Sequence, residues 1–278
     1  MSNVEFIKPT SLQDACEALM KPDYLAIAGG SDLIVKMRNG MYPNLKGLVD
    51  ISGLPPLNTI RTDENAVIIG SGCTMNQIAK DQLIKDYFPA LAKAASTVGA
   101  LQIRNSATIG GNVANASPAG DTIPALFTLV ADIMIIGCNG RRQIPIVEFF
   151  LSPGKTKLAP GEIIEGFKLL LRKTRGEFLK LGERRAHAIS KINMAVSTWN
   201  DGKNHYRIAM GSVAPTVLRC REAEEYLESS EQLDDNTIAR AAEIVSETAK
   251  PISDLRSTKA YRKQMAGVLL KRALQNLR

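Results

Sequence analysis

The chain is poor in the residues from which metal centres and base-stacking platforms are built. It has only two histidines, His187 and His205, and four cysteines, Cys16, Cys73, Cys138 and Cys220, with no C-x-x-C pair. A zinc site takes about four nitrogen or sulfur ligands in short spacings, and an iron–sulfur cluster about four grouped cysteines. No metal centre is therefore expected within this chain. Aromatic residues make up 5% of the sequence, with a single tryptophan, which leaves little surface for stacking nucleic-acid bases. No run of ~18 apolar residues occurs, so no transmembrane helix is expected. The first residues, MSNVEFIKPTSLQDA, have neither a basic n-region nor an apolar h-region, so no secretory signal is expected. The thiols are then read as reduced and mostly buried, in a cytoplasmic protein.

What is present describes a globular chain. Hydrophobic residues are 45% and charged residues 23%, ordinary values that exclude wholesale disorder. A length of 278 residues suits two domains, at roughly 100–200 residues each. The net charge of +7 favours an anionic ligand or partner.

The N-terminal part reads as alternating helices and strands. Thr10 is placed to cap a helix from Ser11, with Leu12, Ala15, Cys16, Leu19 and Met20 as its apolar stripe. Tyr24–Ala28 reads as a buried strand, and Ser31 to about Arg38 as a short helix. Leu48–Ile51 and Ala66–Ile69 read as strands. Met75 to about Ser96 is helical, broken at Phe88-Pro89. Residues 97–122 show no lasting period, and a structureless segment of that length tends to be functional. A helix from Asp121 to about Val130 and a strand Ile133–Ile136 follow. A second unit begins after Leu158-Ala159-Pro160-Gly161, with the boundary near residues 165–175. There, Phe178–Leu181, Met194–Trp199 and Tyr206–Ser212 are strand-like, the latter two joined by a turn at Asp201-Gly202. Helices follow at Arg221–Ser229, Asp235–Ala249 and Ser257–Gln275, an α+β order.

Several motifs fail on inspection. Gly70–Met75 begins like a dinucleotide fingerprint, but its third glycine is replaced by Met75. Gly154-Lys155-Thr156 resembles the end of a P-loop, but Phe149 stands where the first glycine belongs. His187 and His205 have no matched serine or cysteine, and each reads as a surface or hydrogen-bonded histidine.

Three motifs survive. Ala28-Gly29-Gly30-Ser31-Asp32 follows an apolar strand and precedes a helix. Paired glycines let backbone amides approach an anion, and successive amides stabilise phosphate charge. The same residues also suit a plain strand–helix turn with Ser31 as its cap. Thr108-Ile109-Gly110-Gly111-Asn112 has the same logic, or else forms a β-turn. Two such bends can converge on one diphosphate, where a branched side chain at Gly30 or Gly110 would intrude. In Ser117-Pro118-Ala119-Gly120-Asp121, the carboxylate suits sugar or ribityl hydroxyls, or an ordinary helix cap, and the two roles can coexist.

Together these segments resemble a known family. AIAGGSDLIVKM and IRNSATIGGNVANASPAGDTIPAL are similar to the two signature segments of the FAD-binding (medium) subunit of molybdenum hydroxylases, of the xanthine dehydrogenase and carbon monoxide dehydrogenase flavoprotein type. The similarity continues in SPGKTKLAPGEII, GERRAHAISKINMAVS and GSVAPTVLRC. The resemblance implies an α+β chain. A vanillyl-alcohol-oxidase-type FAD-binding fold of two α/β subdomains (about 1–55 and 56–168) is followed over 169–278 by an α+β C-terminal domain of the carbon monoxide dehydrogenase flavoprotein type. It also implies non-covalent FAD, wrapped by Ala26, Ile27, Ala28, Gly29, Gly30, Ser31 and Asp32 and by Thr108, Ile109, Gly110, Gly111 and Asn112. Asp121 falls on the sugar–ribityl side, and Ile164 and Lys191 approach the flavin, Lys191 having a bland alternative as a surface charge. Two departures stand out: Ala188 replaces a common Asp, and Thr97–Leu101 carries no aromatic for the flavin ring.

The implied role is electron transfer by an oxidoreductase subunit with no catalytic side chain of its own. A small iron–sulfur subunit and a large molybdenum-cofactor subunit would be its partners. NAD+, NADP+, ferredoxin or a quinone would be the acceptor. A stand-alone FAD-dependent oxidoreductase and a non-enzymatic two-domain binding protein are the competing readings.

Overall fold

A computed structural model describes residues 4–184 and 188–278. His187 lies outside the described residues. The chain begins with β1 (Glu5–Ile7), α1 (Leu12–Leu19), β2 (Tyr24–Ile27), α2 (Leu33–Arg38) and β3 (Gly47–Asp50). The three strands form a parallel sheet in the order β1-β3-β2, because each connection crosses over through a helix. Ser11, not Thr10, caps α1. Its hydroxyl accepts from the Asp14 amide at 3.0 Å, while the Thr10 hydroxyl donates to the Asp14 carboxylate at 2.6 Å.

The next stretch runs β4 (Ile60–Asp63), β5 (Ala66–Gly70), α3 (Met75–Lys80), α4 (Gln82–Tyr87), α5 (Pro89–Ser96), α6 (Leu101–Ser106), α7 (Ile109–Ala114) and α8 (Thr122–Thr128). It continues through β6 (Asp132–Gly137), β7 (Gly140–Pro145), α9 (Ile146–Phe149), β8 (Phe150–Ser152), β9 (Lys155–Thr156) and β10 (Ile163–Leu170). Its antiparallel five-stranded sheet has the order β4-β5-β10-β6-β7. The segment after Pro160-Gly161 thus returns as the middle strand of this sheet instead of opening the next one. Residues 97–122 are also not structureless, since they hold α6 and α7. Each is six residues long, too short to display a 3.6-residue stripe. Tertiary anchors compensate, as the Gly110 amide donates to the Ser71 carbonyl at 2.8 Å.

The last stretch comprises β11 (Arg175–Leu181), β12 (Ile192–Asn200), β13 (Asn204–Gly211), β14 (Leu218–Arg219), α10 (Arg221–Ser229), α11 (Asp235–Thr248) and α12 (Lys259–Leu277). Its four-stranded antiparallel sheet is covered on both faces. Along β12, Ile192, Met194 and Val196 join the core shared with α10–α12. The alternate residue Ala195 joins the core formed by β5, β6, β10 and helices α3–α5, α7 and α8, and Ser197 meets Thr128 of α8 through a 2.8 Å hydroxyl pair. The side-chain period of two sends alternate residues into two different cores.

Among the described residues no helix is long and apolar enough to cross a membrane. Nor do three or more His, Cys, Asp or Glu side chains gather where they could hold a metal ion. All four cysteines are free thiols, and burial pushes those of Cys16 and Cys73 up to about 11.

Candidate functional site

A cavity of about 860 Å³ opens where the three parts of the chain meet. That is near the upper end of the ~300–1,000 Å³ typical of ligand sites. Its walls are the bend between β2 and α2, helices α6 and α7 with the Ser117–Asp121 loop, the Leu158–Glu162 segment, and residues of the last stretch including Lys180, Ser190 and Arg256.

The first glycine bend is built against the second region. A Cβ on Gly29 would lie 1.8 Å from the Ser106 carbonyl oxygen, at the end of α6. No side chain fits there, so glycine is what lets the bend dock onto the α6–α7 junction. Gly30 follows with φ +65°, the left-handed region that glycine enters freely. Among the described residues, the amides of Gly29, Gly30 and Ser31 donate to no protein acceptor. Three neighbouring amides without partners, on residues that line the cavity, suit an anion. Ser31 does not cap α2; Asp32 stands at that position without a side-chain cap bond.

The second bend is different. Thr108 caps α7, its hydroxyl accepting from the Gly111 amide at 3.1 Å. The Ile109 amide donates to the Cys73 carbonyl at 3.0 Å, and the Gly110 amide to Ser71. These amides are spent inside the protein. Ile109 and Gly110 do not line the cavity, whereas Thr108, Gly111 and Asn112 do. A Cβ on Gly110 would meet the Ser71 side chain at 2.5 Å. A branched residue there would strain the packing of α7 on the loop after β5 and would not reach into the cavity. The two bends do come together; among the described residues the first offers three free amides and the second only that of Thr108.

Asp121 lines the cavity and is 5% exposed. It makes no side-chain cap bond to α8. Its carboxylate instead accepts from the Ser190 hydroxyl at 2.8 Å and the Asn193 amide at 2.9 Å, and it pairs with the Lys180 ammonium. All three donors belong to the last stretch of the chain, so this carboxylate fastens that stretch to the cavity wall. The Lys180 side chain is 13% exposed. A readable signal for it existed: Lys180 is in period-two phase with Phe178, a fully buried core residue, so it points inward and needs a partner.

Two other expected positions lie elsewhere. Ile164 is buried in β10 opposite Ile135, and its strand phase keeps it in the core. Lys191 donates its backbone amide to the Leu181 carbonyl at 2.8 Å and, half-buried and outside the cavity lining, places its ammonium 3.8 Å from the Glu183 carboxylate. Ala26, Ile27, Ala28 and Asp32 do line the cavity, and so does Ala188. Where an aromatic is missing, Val98, Gly99 and Ile103 supply an aliphatic wall. Lys36 was not anticipated. From α2 it pairs with Asp32 at 2.7 Å and donates to the Asn115 side chain just after α7.

The family model for the FAD binding domain in molybdopterin dehydrogenase matches residues 2–169. The model for the CO dehydrogenase flavoprotein C-terminal domain matches residues 177–277. The chain belongs to this flavoprotein family. It is an FAD-binding oxidoreductase subunit of the molybdenum hydroxylase type. It is similar to the nicotinate dehydrogenase FAD-subunit of Eubacterium barkeri, at 32% identity over 95% of this chain and 92% of the relative. It is also similar to the xanthine dehydrogenase FAD-binding subunit of Escherichia coli O157:H7, at 30% identity over 96% and 93%. Among solved structures, the carbon monoxide dehydrogenase of Hydrogenophaga pseudoflava, in a form lacking the Mo-pyranopterin moiety of its cofactor, has a chain that superposes with a TM-score of 0.92. That chain is 30% identical, over 98% of this chain and 96% of its own length.

The residues present fit FAD. The cradle at Gly29–Ser31 suits a diphosphate, which amide dipoles can stabilise without a dedicated lysine. The adjoining walls are apolar at Leu25, Ile27 and Ile103 and polar at Asn112 and Ser117. That mixture is what a cofactor with two flat rings and a hydroxylated chain requires.

Proposed function

We propose that this chain is the electron-relaying subunit of a molybdenum-dependent hydroxylase. Electrons from iron–sulfur clusters on a small partner chain would pass through its FAD to an acceptor such as NAD+, while substrate is oxidised on a large partner chain. The observation that carries this reading is the set of partnerless amides at Gly29, Gly30 and Ser31, set against Thr108 and Gly111 across one cavity.

In this reading the Gly29–Ser31 amides and the Thr108 hydroxyl hold the diphosphate. Asp121 serves the ribityl side, with its charge fixed by Lys180, Ser190 and Asn193. FAD, when bound, supplies chemistry that can exchange electrons singly or in pairs. The protein's part is to bind, orient and shield.

The test is the identity of the small molecule released when the purified protein is denatured. Mass analysis is expected to find FAD, free of the polypeptide and near one per chain. FMN, or flavin that stays attached to the protein, overturns the assignment.

A further inference from the structure

Among the described residues, the charges that line the cavity are almost all neutralised locally. Lys36 pairs with Asp32 at 2.7 Å, Glu162 with Arg142 at 2.7 Å, and Lys180 with Asp121. The exception comes from the loop between α11 and α12. There Asp254 serves two arginines. Its Oδ1 accepts from Arg262 Nη2 at 2.6 Å, and its Oδ2 faces Arg256, with Nη2 at 3.1 Å and Nε at 3.2 Å. Two guanidiniums against one carboxylate leave one net positive charge. The Arg262 side chain is 4% exposed, whereas that of Arg256 is 46% exposed, and Arg256 lines the cavity. The surplus charge therefore faces the cavity through Arg256.

The placement of this loop is built from within. Arg262 also donates to the Ser212 carbonyl at 3.4 Å. Ser212, held at φ +63°, donates its amide to the Pro118 carbonyl at 2.8 Å and its hydroxyl to the Ser190 carbonyl at 3.1 Å. The Ser190 hydroxyl reaches Asp121. A continuous polar chain thus runs from the Asp121 wall to the loop that presents Arg256. A non-glycine residue in the left-handed region persists only where its surroundings over-determine it.

We infer that Arg256 is a phosphate-binding residue of this cavity, contributed by the C-terminal part of the chain and aimed by Asp254 and Arg262. The inference rests on the FAD reading. The phosphate is either the cofactor's own diphosphate or that of a second nucleotide entering at the mouth, and the guanidinium recognises both by the same charge-assisted hydrogen bonds.

The experiment uses the purified chain, once one FAD per chain has been established for the wild type; a wild type without flavin would be a failure of the FAD reading, not of this one. Arg256→Gln and Arg256→Lys are compared in two measurements. The first is FAD titration into flavin-stripped protein, followed by quenching of flavin fluorescence. The second is calorimetric titration of ADP-ribose into FAD-loaded protein, together with the NADH concentration dependence of flavin bleaching. Arg256→Gln is expected to weaken one of the two by roughly tenfold to a hundredfold, the worth of a charge-assisted hydrogen bond. Arg256→Lys should restore part of the loss, and added salt should weaken the wild type more than the Gln variant. A loss confined to the first measurement assigns the charge to the cofactor, and a loss confined to the second assigns it to the second nucleotide. Both quantities within about twofold of wild type for Arg256→Gln would overturn the inference.

Discussion

Gly29→Ala is expected to lower FAD affinity by a factor of roughly a hundred. The added methyl would sit 1.8 Å from the Ser106 carbonyl oxygen, and a backbone carbonyl cannot rotate away as a flexible side chain can. The bend must lift off the α6–α7 junction, which separates the free amides of Gly29–Ser31 from Thr108 and Gly111. Overpacking of this kind costs about 1–3 kcal/mol, and about 2.7 kcal/mol is a hundredfold in a binding constant. Flavin titration measures the affinity, and a circular-dichroism melt shows whether the rest of the fold persists. An affinity near wild type in a folded Gly29→Ala protein would mean that the bend does not hold the cofactor.

The second large effect falls on stability. Asp121→Ala should cost roughly 3–5 kcal/mol, because it strands the Lys180 ammonium in a mostly buried position. For a chain of this size that is of order ten degrees in melting temperature. Among the described residues Lys180 would keep only its 3.2 Å contact to the Thr97 carbonyl, the Ser190 hydroxyl would lose its acceptor, and Asn193 would be left with 3.4 Å contacts to the Gly120 carbonyl and the Ser190 hydroxyl. The size of the effect separates two roles. Loss of an ordinary helix cap costs about 1 kcal/mol. The double variant Asp121→Asn/Lys180→Met is expected to be more stable than Asp121→Asn alone, since the coupled charge leaves with its partner. Additive losses in this cycle would rule out the pair as the source. FAD affinity should fall in Asp121→Ala as well.

Much of this architecture was legible in the residues, for identifiable reasons. The strands around Met194–Trp199 and Tyr206–Ser212 and the helix at Arg221–Ser229 could be read from local pattern, because each is long enough to show its period and Asp201-Gly202 marks the turn. The helices α6 and α7 could not be read. Their segment is held by backbone contacts to Ser71 and Cys73, and nothing in its local sequence announces them. The central position of β10 was hidden for a related reason, since Pro160-Gly161 looks like a linker and strand order is a long-range property.

The site divides in the same way. The first glycine bend could be located from Gly29-Gly30, although those residues alone suit a plain strand–helix turn equally well. The second has the same sequence logic, yet its amides from Ile109 to Asn112 are consumed internally, and only hydrogen-bond accounting exposes that difference. Lys36 and Arg256 come from distant segments that no spacing rule connects to the glycine bends. Lys180 was the one missed residue that local phase with Phe178 could have revealed.

The sheet β11-β12-β13-β14 is a party wall. Ala195 and Ser197 belong to one room and Met194 and Val196 to the other, on the same strand. Neither half can leave without stripping an apolar face bare to water. Heat should therefore melt the polypeptide in a single calorimetric transition, and a fragment ending at Leu170 should aggregate because helices α5 and α8 would have lost their cover. In such a molecule an injury at the helical end is felt at the cofactor, because there is no hinge along which the damage could be contained.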